Sequence, residues 1–519
     1  MNRDQMLNKV REFSGYWDVI VIGGGATGLG AAVESAARGY KTVLFEQSDF
    51  ARATSSRSTK LIHGGIRYLQ QGNFNLVLEA LRERGLLIGN APHLVHHQSF
   101  IVPTYDWWQG PFYGVGMKVY DKLAGKLGLG PSRRLSKEET LKHIPNLEAN
   151  GLKGGIHYYD GQFDDARLAI SLTQTLADMD GIPLNYARVT GLQKTNNMVD
   201  GVTVKDEESG EEFEVNAHSV VNATGIFTDE ILRMDEEHNP GIMTWSQGVH
   251  LVLERDFLAG DTAIMVPKTE DGRVLFAVPW HNRVIVGTTD TPVDKPELEP
   301  RPFDEEVEYI LNHASFFMDR NPTRQDVKSV FAGLRPLVRP LENKKTSSIS
   351  RDHTVVVSRS GLVTIAGGKW TTYRKMGQDV IDKAAMVAGL DIRESKTHNL
   401  HLHGWLNKSD RSDMMYVYGA DIVGIKKLMD QHPEFNQPLH PDLPYQKAEV
   451  VWAVRKEMAR TVDDVLSRRT RALLLDARAA IEAAPETARL MATELGADET
   501  WEHTQVHQFE KIAEGYLLK

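Results

Sequence analysis

The chain contains no cysteine among its 519 residues. This absence excludes disulfide bonds, thiolate nucleophiles, iron–sulfur clusters and C-x-x-C redox pairs. No stretch approaches the eighteen consecutive apolar residues that a membrane-spanning helix needs. The opening residues, MNRDQMLNKVREF, lack the apolar segment of a signal peptide. These absences predict a cytoplasmic protein, and they leave contact with a membrane surface open.

Acidic residues outnumber basic residues, since the chain has 70 aspartates and glutamates and 60 lysines and arginines, for a net charge of −10. A nucleic-acid-binding protein normally carries the opposite balance, so we expect no nucleic-acid partner. A local basic pocket for an anionic substrate is still compatible with this total. The length predicts about three domains, and no cluster of metal-ligating residues indicates a metal site.

The most informative stretch of the sequence is residues 16–46. A β-branched run (VIVI) enters a glycine cluster, small helix-compatible residues follow, and a second apolar run ends on Glu46. Gly23, Gly25 and Gly28 have the G-x-G-x-x-G spacing, which allows a tight turn, close approach of a pyrophosphate and close helix–strand packing. The helix N-terminus attracts phosphate, and Glu46 can accept hydrogen bonds from ribose hydroxyls. The stretch therefore predicts dinucleotide binding and leaves FAD and NAD as alternatives.

Two further segments end a predicted strand on glycine, namely Ala223–Gly225 and Gly367-Gly368. A β-meander between residues 185 and 225 interrupts what would be a compact NAD domain. A helix N-terminus at residues 369–372 would place its N–H groups against a flavin pyrimidine edge and stabilise developing negative charge there. Ordinary helix capping by the two threonines is the simpler alternative. We favour flavin.

The remaining pattern predicts a mixed protein with a helical end. We expect a helix from Asn75, a strand followed by a helix capped near Asp164-Asp165, and short antiparallel strands between residues 248 and 287. A helix is predicted from Asp304 through Met318, and a hairpin around Ser360-Gly361. From about residue 390 onward only amphipathic helices are predicted. Residues 105–130 predict a packed helix pair, with an amphipathic membrane or subunit contact as the alternative.

Several motifs together carry a resemblance to a known family. In chain order they are IGGGATG, TSSRSTKLIHGGIRYL, VNATG, SQGVHLVL, VPW with VGTTDT, GLRPL, SRD and GGKWTTYRKM, followed by YGAD and EMARTVDDVLSRRTR. This set resembles the FAD-dependent glycerol-3-phosphate dehydrogenases, quinone-linked flavoenzymes related in fold to glycine and D-amino-acid oxidases. The resemblance implies an α/β fold in which a Rossmann-like FAD-binding domain is interleaved with an antiparallel-sheet substrate domain, and an all-α C-terminal domain follows.

The implied domain division places the oxidoreductase region at residues 1–388 and the helical domain at 389–519. Within the first region, FAD-binding segments are expected at about 16–95, 150–235 and 350–388. Substrate-binding segments are expected at about 96–149 and 236–349.

The resemblance also implies the binding residues. The substrate pocket is expected to contain Arg67, Tyr68, His250, Arg335, Arg351 and Lys369. Guanidinium groups suit a phosphate because they bind its oxygens in pairs, with lysine as a point charge. The residues expected to bind FAD are Gly23, Gly25, Ala26, Thr27, Gly28, Glu46, Gln47, Thr54, Ser55, Ser56, Lys60, Leu61, His63, Gly64, Val189, Ala223, Gly225, Gly368, Lys369, Trp370, Thr371 and Thr372.

The implied reaction is oxidation of sn-glycerol 3-phosphate to dihydroxyacetone phosphate, with hydride transfer from C2 to flavin N5 and electrons passed to a quinone. His250 is the candidate base, because its ordinary pKa near 6.5 suits proton transfer at neutral pH. Arg335 or Lys369 is the alternative, as a cation that stabilises the developing alkoxide. We also expect a homodimer, and peripheral contact with the cytoplasmic face of a membrane stays open.

Three rival functions stay open. The first is an oxidase that delivers electrons to oxygen, although that branch carries an inserted segment for which this chain has no room. The second is an FAD amine or amino-acid oxidase. The third is a non-catalytic FAD-binding assembly protein. One departure from the family pattern is noted: Val338 and Arg339 stand where some relatives carry small or acidic residues, so Arg339 either joins the phosphate site or faces solvent.

Overall fold

A computed structural model describes residues 1–65, 74–106, 114, 116–118, 125, 128–267, 273–339 and 352–518. The strands are β1 (Trp17–Ile22), β2 (Thr42–Phe45), β3 (Leu61–Ile62), β4 (Val95–Thr104), β5 (Arg133–Leu135), β6 (Gly154–Phe163), β7 (Ile182–Leu184), β8 (Ala187–Thr195), β9 (Met198–Asp206), β10 (Glu212–Asn222), β11 (Met243–Glu254), β12 (Thr262–Val266), β13 (Leu275–Trp280), β14 (Arg283–Gly287), β15 (Thr291–Val293), β16 (Val327–Val338), β17 (His353–Val357) and β18 (Val363–Gly367).

The helices of the described residues are α1 (Arg3–Glu12), α2 (Ala26–Ala37), α3 (Phe74–Asn90), α4 (Lys137–His143), α5 (Asp165–Asp178), α6 (Thr228–Asp235), α7 (Asp304–Ala314), α8 (Tyr373–Ala388), α9 (Ile422–Gln431), α10 (Lys447–Glu457), α11 (Ala472–Leu475), α12 (Ala477–Leu495) and α13 (Glu499–Ala513). Within these ranges, no helix combines the length and the apolar composition that crossing a bilayer requires.

The first sheet has the order β17-β18-β10-β1-β2-β7. Strands β18, β10, β1, β2 and β7 run parallel, and β17 joins the edge as the antiparallel arm of a hairpin. The β1 strand lies centrally and is almost fully buried, which explains its unbroken β-branched sequence. The predicted meander is confirmed as β8, β9 and β10, joined to this sheet through β10. The predicted hairpin of β17 and β18 is confirmed as well.

The second sheet is mainly antiparallel, in the order β15-β11-β14-β13-β12-β4-β6-β3, with β16 paired to β11 and β5 to β6. The strands predicted between residues 248 and 287 are all present. The β11 strand is longer than predicted because it pairs with β14, β15 and β16. The α5 helix begins as predicted, with the Asp164 carboxylate accepting a hydrogen bond from the Arg167 amide at 3.0 Å.

One predicted helix boundary is wrong. The α7 helix begins at Asp304 as predicted, but it ends at Ala314 instead of Met318. The chain turns there because Met318 is buried in the core of the second sheet and forms an isolated bridge with Leu147. A continued helix would have carried Met318 away from this partner.

The two glycine-containing strand–helix junctions are held together by direct helix contact. A Cβ atom on Gly30 of α2 would lie 2.6 Å from the Tyr373 carbonyl oxygen, and one on Gly377 of α8 would lie 2.4 Å from the Gly30 carbonyl oxygen. Because both positions lack a side chain, the backbones of α2 and α8 approach closely. The beginnings of both helices therefore face the same region of the protein.

The chain beyond α8 is helical in the described residues, as predicted. Helices α10 to α13 form their own apolar core, which also includes Val252 and Phe331 of the second sheet. The α9 and α10 helices also pack against the core of the first sheet. The helical region therefore contacts both sheets.

Candidate functional site

The turn between β1 and α2 has the geometry of a phosphate-binding turn. Gly23 adopts φ +109°, a conformation that favours glycine. A Cβ atom on Gly28 would lie 1.8 Å from the Gly23 carbonyl oxygen, so only glycine permits this packing. The α2 helix is capped by Gly25, which provides no side-chain hydrogen bond, and its first turn contains no acidic residue. No carboxylate of that first turn therefore neutralises the positive end of the helix dipole.

Glu46 stands at the end of β2, opposite this turn. Its carboxylate accepts hydrogen bonds from the Gly24 amide at 2.7 Å and from the Ser48 amide at 2.9 Å. Burial raises the pKa of Glu46, and the two amide hydrogen bonds oppose that shift. Each carboxylate oxygen keeps further acceptor capacity. Glu46 is thus fixed in place and suited to accept hydrogen bonds from ribose hydroxyls.

A cleft lies between the glycine turn, the tip of β10 and the end of β18, with about 1140 Å³ of space that includes open solvent at its mouth. The structure brings many predicted cofactor residues together around it, and those lining it are Gly23, Gly25, Ala26, Thr27, Glu46, Gln47, Thr54, Ser55, Val189, Ala223, Gly225, Gly368, Lys369 and Trp370. All three strand ends that finish on glycine contribute to this one cleft. The helix end without an acidic residue in its first turn, the fixed acid and the residues that line the cleft fit an FAD molecule.

Other predicted cofactor residues do not line the cleft. Gly28 lies beneath the turn, and the remainder of this group consists of Ser56, Lys60, Leu61, His63, Gly64, Thr371 and Thr372. Lys60 is fully buried and its Nζ donates at 2.7 Å to both the Asp165 carboxylate and the Ser56 carbonyl. Burial lowers the pKa of Lys60 to about 7. The Lys60 ammonium group therefore faces α5, where Asp165 attracts it.

The junction after β18 differs slightly from the prediction. Gly367 and Gly368 have φ values of +78° and +85°, and a 3₁₀ turn (Trp370–Thr372) precedes the α-helix, which begins at Tyr373. The Trp370 indole N–H donates to the Ser55 carbonyl at 2.9 Å. This bond ties the turn to the loop after β2, and the predicted helix start is therefore a 3₁₀ turn that leads directly into α8.

Sequence reasoning missed several cleft residues, including Arg52, Arg188, Phe227, Leu298 and Pro336. Arg52 lies 3.7 Å from a carboxylate oxygen of Glu299 and 3.7 Å from one of Asp463. Its buried Nε has no hydrogen-bond partner among the described residues. An isolated arginine in a loop gives no recognisable spacing, so the sequence contained no signal for it.

Arg335 lies on β16 at the face that also carries Ser246, Gly248 and His250 of β11. One terminal nitrogen donates to the Gln247 carbonyl at 3.1 Å, and the other donates to the Thr289 carbonyl at 2.8 Å. A Cβ atom on Gly248 would lie 2.3 Å from that second nitrogen, so glycine makes room for the guanidinium. Arg335 is therefore a fixed guanidinium whose terminal N–H groups already have protein acceptors, and the Asp290 carboxylate lies 3.6 Å from one terminal nitrogen.

The loop that holds Arg335 is itself fixed by a buried carboxylate. Glu306 accepts hydrogen bonds from the Thr289 hydroxyl at 2.7 Å, the Thr291 hydroxyl at 2.6 Å and the Gln247 side-chain amide at 2.7 Å. The Thr289 hydroxyl also accepts from the Val249 amide at 3.0 Å. Glu306 thus joins β11 to the loop whose carbonyl group holds Arg335.

His250 is buried, stacked on Phe331 at 4.8 Å between ring centroids, and its Nε2 lies 2.8 Å from the Thr59 hydroxyl. Burial, together with the positive charges of Lys60 and Arg335, lowers the pKa of His250 well below 6.5. The expectation that this histidine titrates near neutral pH is therefore wrong, because it assumed an exposed imidazole. Its Nδ1 has no hydrogen-bond partner in the described part of the chain.

The remaining predicted substrate residues are placed as follows. Lys369 lines the cleft beside Gly368. Arg67, Tyr68 and Arg351 lie outside the described residues, as does most of the 105–130 segment. Arg339 is exposed at the end of β16 and donates to the Met243 carbonyl at 3.2 Å.

Comparisons with known proteins agree with this geometry. The family described as FAD dependent oxidoreductase matches residues 18–374, and the family described as the C-terminal domain of alpha-glycerophosphate oxidase matches residues 362–502. The chain is 40% identical to the mitochondrial glycerol-3-phosphate dehydrogenase of Bos taurus, covering 96% of this chain and 73% of that protein. It is 35% identical to the same enzyme of Schizosaccharomyces pombe, covering 99% and 89%.

A solved structure matches over nearly the full length. The crystal structure of the glycerol-3-phosphate dehydrogenase from Bacillus halodurans complexed with FAD aligns with a TM-score of 0.80 and 28% identity, covering 99% of this chain and 98% of that one. The fold class predicted from the sequence is thereby confirmed, and so is FAD as the cofactor. The chain belongs to the FAD-dependent glycerol-3-phosphate dehydrogenase family.

Proposed function

We propose that this enzyme oxidises sn-glycerol 3-phosphate to dihydroxyacetone phosphate and passes the electrons to a quinone. The observation that carries the proposal is the position of Arg335. A partly buried cation on the second sheet lies next to the loop that lines the FAD cleft, since the Thr54 hydroxyl donates to the Leu334 carbonyl at 2.7 Å. An anionic substrate held by this charge would be adjacent to the cofactor.

Bound FAD would supply the acceptor for the hydride that leaves C2. The chain's own contribution is electrostatic. The positive charges of Arg335 and Lys369 favour an alkoxide at the C2 oxygen and attract the phosphate, and both effects are strong in a partly buried site. Because Arg335 is fixed by four protein contacts, this charge needs no reorganisation during the reaction.

The neutral form of His250 is favoured by its surroundings, so it is able to accept a proton but forms an imidazolium only at a high energetic cost. We therefore propose that the cations make the substrate hydroxyl more acidic, and that His250 serves as the proton acceptor within that field. Thr59 orients the imidazole through its hydroxyl group. This division of roles replaces the prediction that His250 acts as a base with an ordinary pKa near 6.5.

Replacement of Arg335 tests the substrate site. The Arg335→Met enzyme should keep its flavin content and lose about 10²–10³-fold in kcat/KM for glycerol 3-phosphate, the scale of removing one preorganised electrostatic group. The matched control is Arg339→Met, at the exposed end of the same strand, which should retain wild-type turnover. Equal activity of the two variants would contradict the role of Arg335, whereas a flavin-loaded wild-type protein without any glycerol 3-phosphate turnover would favour a non-catalytic FAD-binding protein.

The electron acceptor needs a separate experiment. The enzyme is reduced anaerobically with glycerol 3-phosphate, and its reoxidation is then followed with a quinone analogue or with oxygen. We expect fast reoxidation by the quinone analogue and slow reoxidation by oxygen. Fast oxygen turnover would identify an oxidase, and bleaching of the flavin by glycine or D-alanine would identify an amino-acid oxidase.

We further propose a homodimer in the cytoplasm that contacts the membrane surface peripherally, where quinones reside. Sedimentation with and without lipid vesicles measures the oligomeric state and the membrane contact. A monomer that stays in the supernatant with vesicles would contradict them.

A further inference from the structure

The loop at residues 46–56, here called the cofactor loop, has one side that lines the FAD cleft and another that contacts the helical C-terminal region. One side lines the FAD cleft through Glu46, Gln47 and residues 51–55. On the other side, the fully buried Asp49 accepts hydrogen bonds from Nε of Arg468 and from both terminal nitrogens of Arg469. These two arginines, here called the arginine pair, belong to the helical C-terminal region. The same short loop therefore contacts the cofactor cleft and a distant part of the chain.

The arginine pair belongs to a buried cluster of arginine and aspartate side chains. Each of the two side chains is at most 2% exposed. Arg468 also pairs with Asp463 and Asp464, both at 2.9 Å. The arginines lower the pKa of Asp49 even though burial alone would raise it. All three aspartates are therefore held close to positive charge, as buried carboxylates require.

A second link runs through Arg52. This residue lines the cleft and lies 3.7 Å from the carboxylate of Asp463. With Arg52 included, three arginines lie among three aspartates (Asp49, Asp463 and Asp464), and Arg52 also lies 3.7 Å from Glu299. A change in the arginine pair would thus reach the cleft by two routes, through Asp49 and through Arg52.

Apart from Asp49, the cofactor loop is fixed mainly at its C-terminal end, where the Thr54 hydroxyl donates to the Leu334 carbonyl and the Ser55 and Ser56 carbonyls accept from Trp370 and Arg471. It contains no regular structure except a 3₁₀ turn (Thr54–Ser56), and its main backbone tie to the glycine turn is the bond from the Ala51 amide to the Gly24 carbonyl at 3.0 Å. Asp49 lies between Glu46 and this tie. The Glu46 carboxylate is held by the Gly24 and Ser48 amides, and Ser48 is the chain neighbour of Asp49, so fixing Asp49 supports one of these two contacts.

From this arrangement we propose that Arg468 and Arg469 are positioning residues for FAD. They touch the cofactor loop and not the cleft, and they act by fixing Asp49 so that Glu46 and residues 51–55 keep a binding-competent conformation. The helical C-terminal region is then a structural component of the flavin site.

The test compares Arg469→Lys with Arg38→Lys. Both are buried arginines paired with carboxylates, but Arg38 lies at the far end of α2 and pairs with Glu34 and Asp382. FAD is removed from each purified protein, and its rebinding is measured by flavin fluorescence. The melting temperature is measured with and without FAD.

We expect Arg469→Lys to weaken FAD binding by about tenfold, the lower end of the effect of removing a residue that orients a ligand-binding group. FAD should raise the melting temperature of this variant less than that of the wild type. The Arg38→Lys control should melt earlier but bind FAD with unchanged affinity. Unchanged FAD affinity in Arg469→Lys, with only a lower melting temperature, would overturn the proposal.

A measurement on the wild-type protein covers the case in which Arg469→Lys does not fold. Because coupling between two sites is reciprocal, FAD binding should slow amide hydrogen exchange at residues 464–470 as well as in the cofactor loop. Residues 464–470 do not line the cleft. Slower exchange in the cofactor loop alone would refute the coupling.

Discussion

Replacement of Gly28 by alanine is the sharpest test of the phosphate-binding turn. The added Cβ atom would lie 1.8 Å from the Gly23 carbonyl oxygen, whereas ordinary contacts begin at 3.4 Å, so the backbones must separate by about 1.6 Å. The obstructing atom belongs to the backbone and cannot rotate away. Overpacking of this kind costs about 1–3 kcal/mol and exceeds the gain of about 1 kcal/mol from the better helix propensity of alanine.

The displaced atoms are those of the turn itself, so FAD binding should suffer more than overall stability. We expect the Gly28→Ala protein to be purified with little flavin and to melt several degrees earlier. Flavin content is measured from the visible spectrum, and stability from thermal unfolding of the flavin-free protein.

Gly89→Ala is the matched control. Gly89 also lies within a helix, α3, but a Cβ atom there meets nothing within 4 Å. This variant should gain up to about 1 kcal/mol from helix propensity and bind FAD normally. A Gly28→Ala enzyme with wild-type flavin content and stability would refute the steric argument.

Three further predictions follow from the site and its surroundings. Because the pKa of His250 is lowered, its neutral form persists below pH 6.5, so kcat/KM should be maintained at about pH 6; a half-loss at pH 6.5 would contradict the buried environment. His403 has its pKa raised to about 9 by hydrogen bonds to Asp178 and Asp421, so its stabilising effect is complete below pH 6.5 and is lost as pH rises through about 9. His403→Gln should remove this alkaline loss in melting experiments, and an unchanged profile would assign it to other groups. Thr289→Val should raise the KM for glycerol 3-phosphate about tenfold without changing FAD affinity, whereas Thr289→Ser should behave as wild type; equal KM values would show that the Glu306 contact does not support Arg335.

Features encoded over short distances were predictable from the sequence. The glycine turn, the Asp164 helix cap and the hairpin at Ser360-Gly361 each depend on neighbouring residues, so their spacing is sufficient. The end of α7 was not predictable, because Met318 leaves the helix to meet Leu147, a partner far away in the sequence.

At the site, the sequence could not predict the directions in which the side chains point. The sequence places Lys60 in a motif rich in hydroxyl groups and glycines, but its ammonium group turns toward Asp165, which lies 105 residues away. Arg52 and Arg188 line the cleft without any motif to mark them. The pKa of His250 depends on burial and on two cations from other segments, and none of these is visible in the pattern around it.

The bond between Asp49 and Arg469 joins residues 420 positions apart, which has a consequence for the timing of biosynthesis. At a translation rate of roughly 5 to 20 residues per second, roughly 20 to 80 seconds pass between the synthesis of one partner and that of the other. During that interval the glycine turn has left the ribosome, while the acid beside it has no arginine to pair with. Productive flavin capture is therefore expected to follow synthesis of residue 469, late in the production of each molecule.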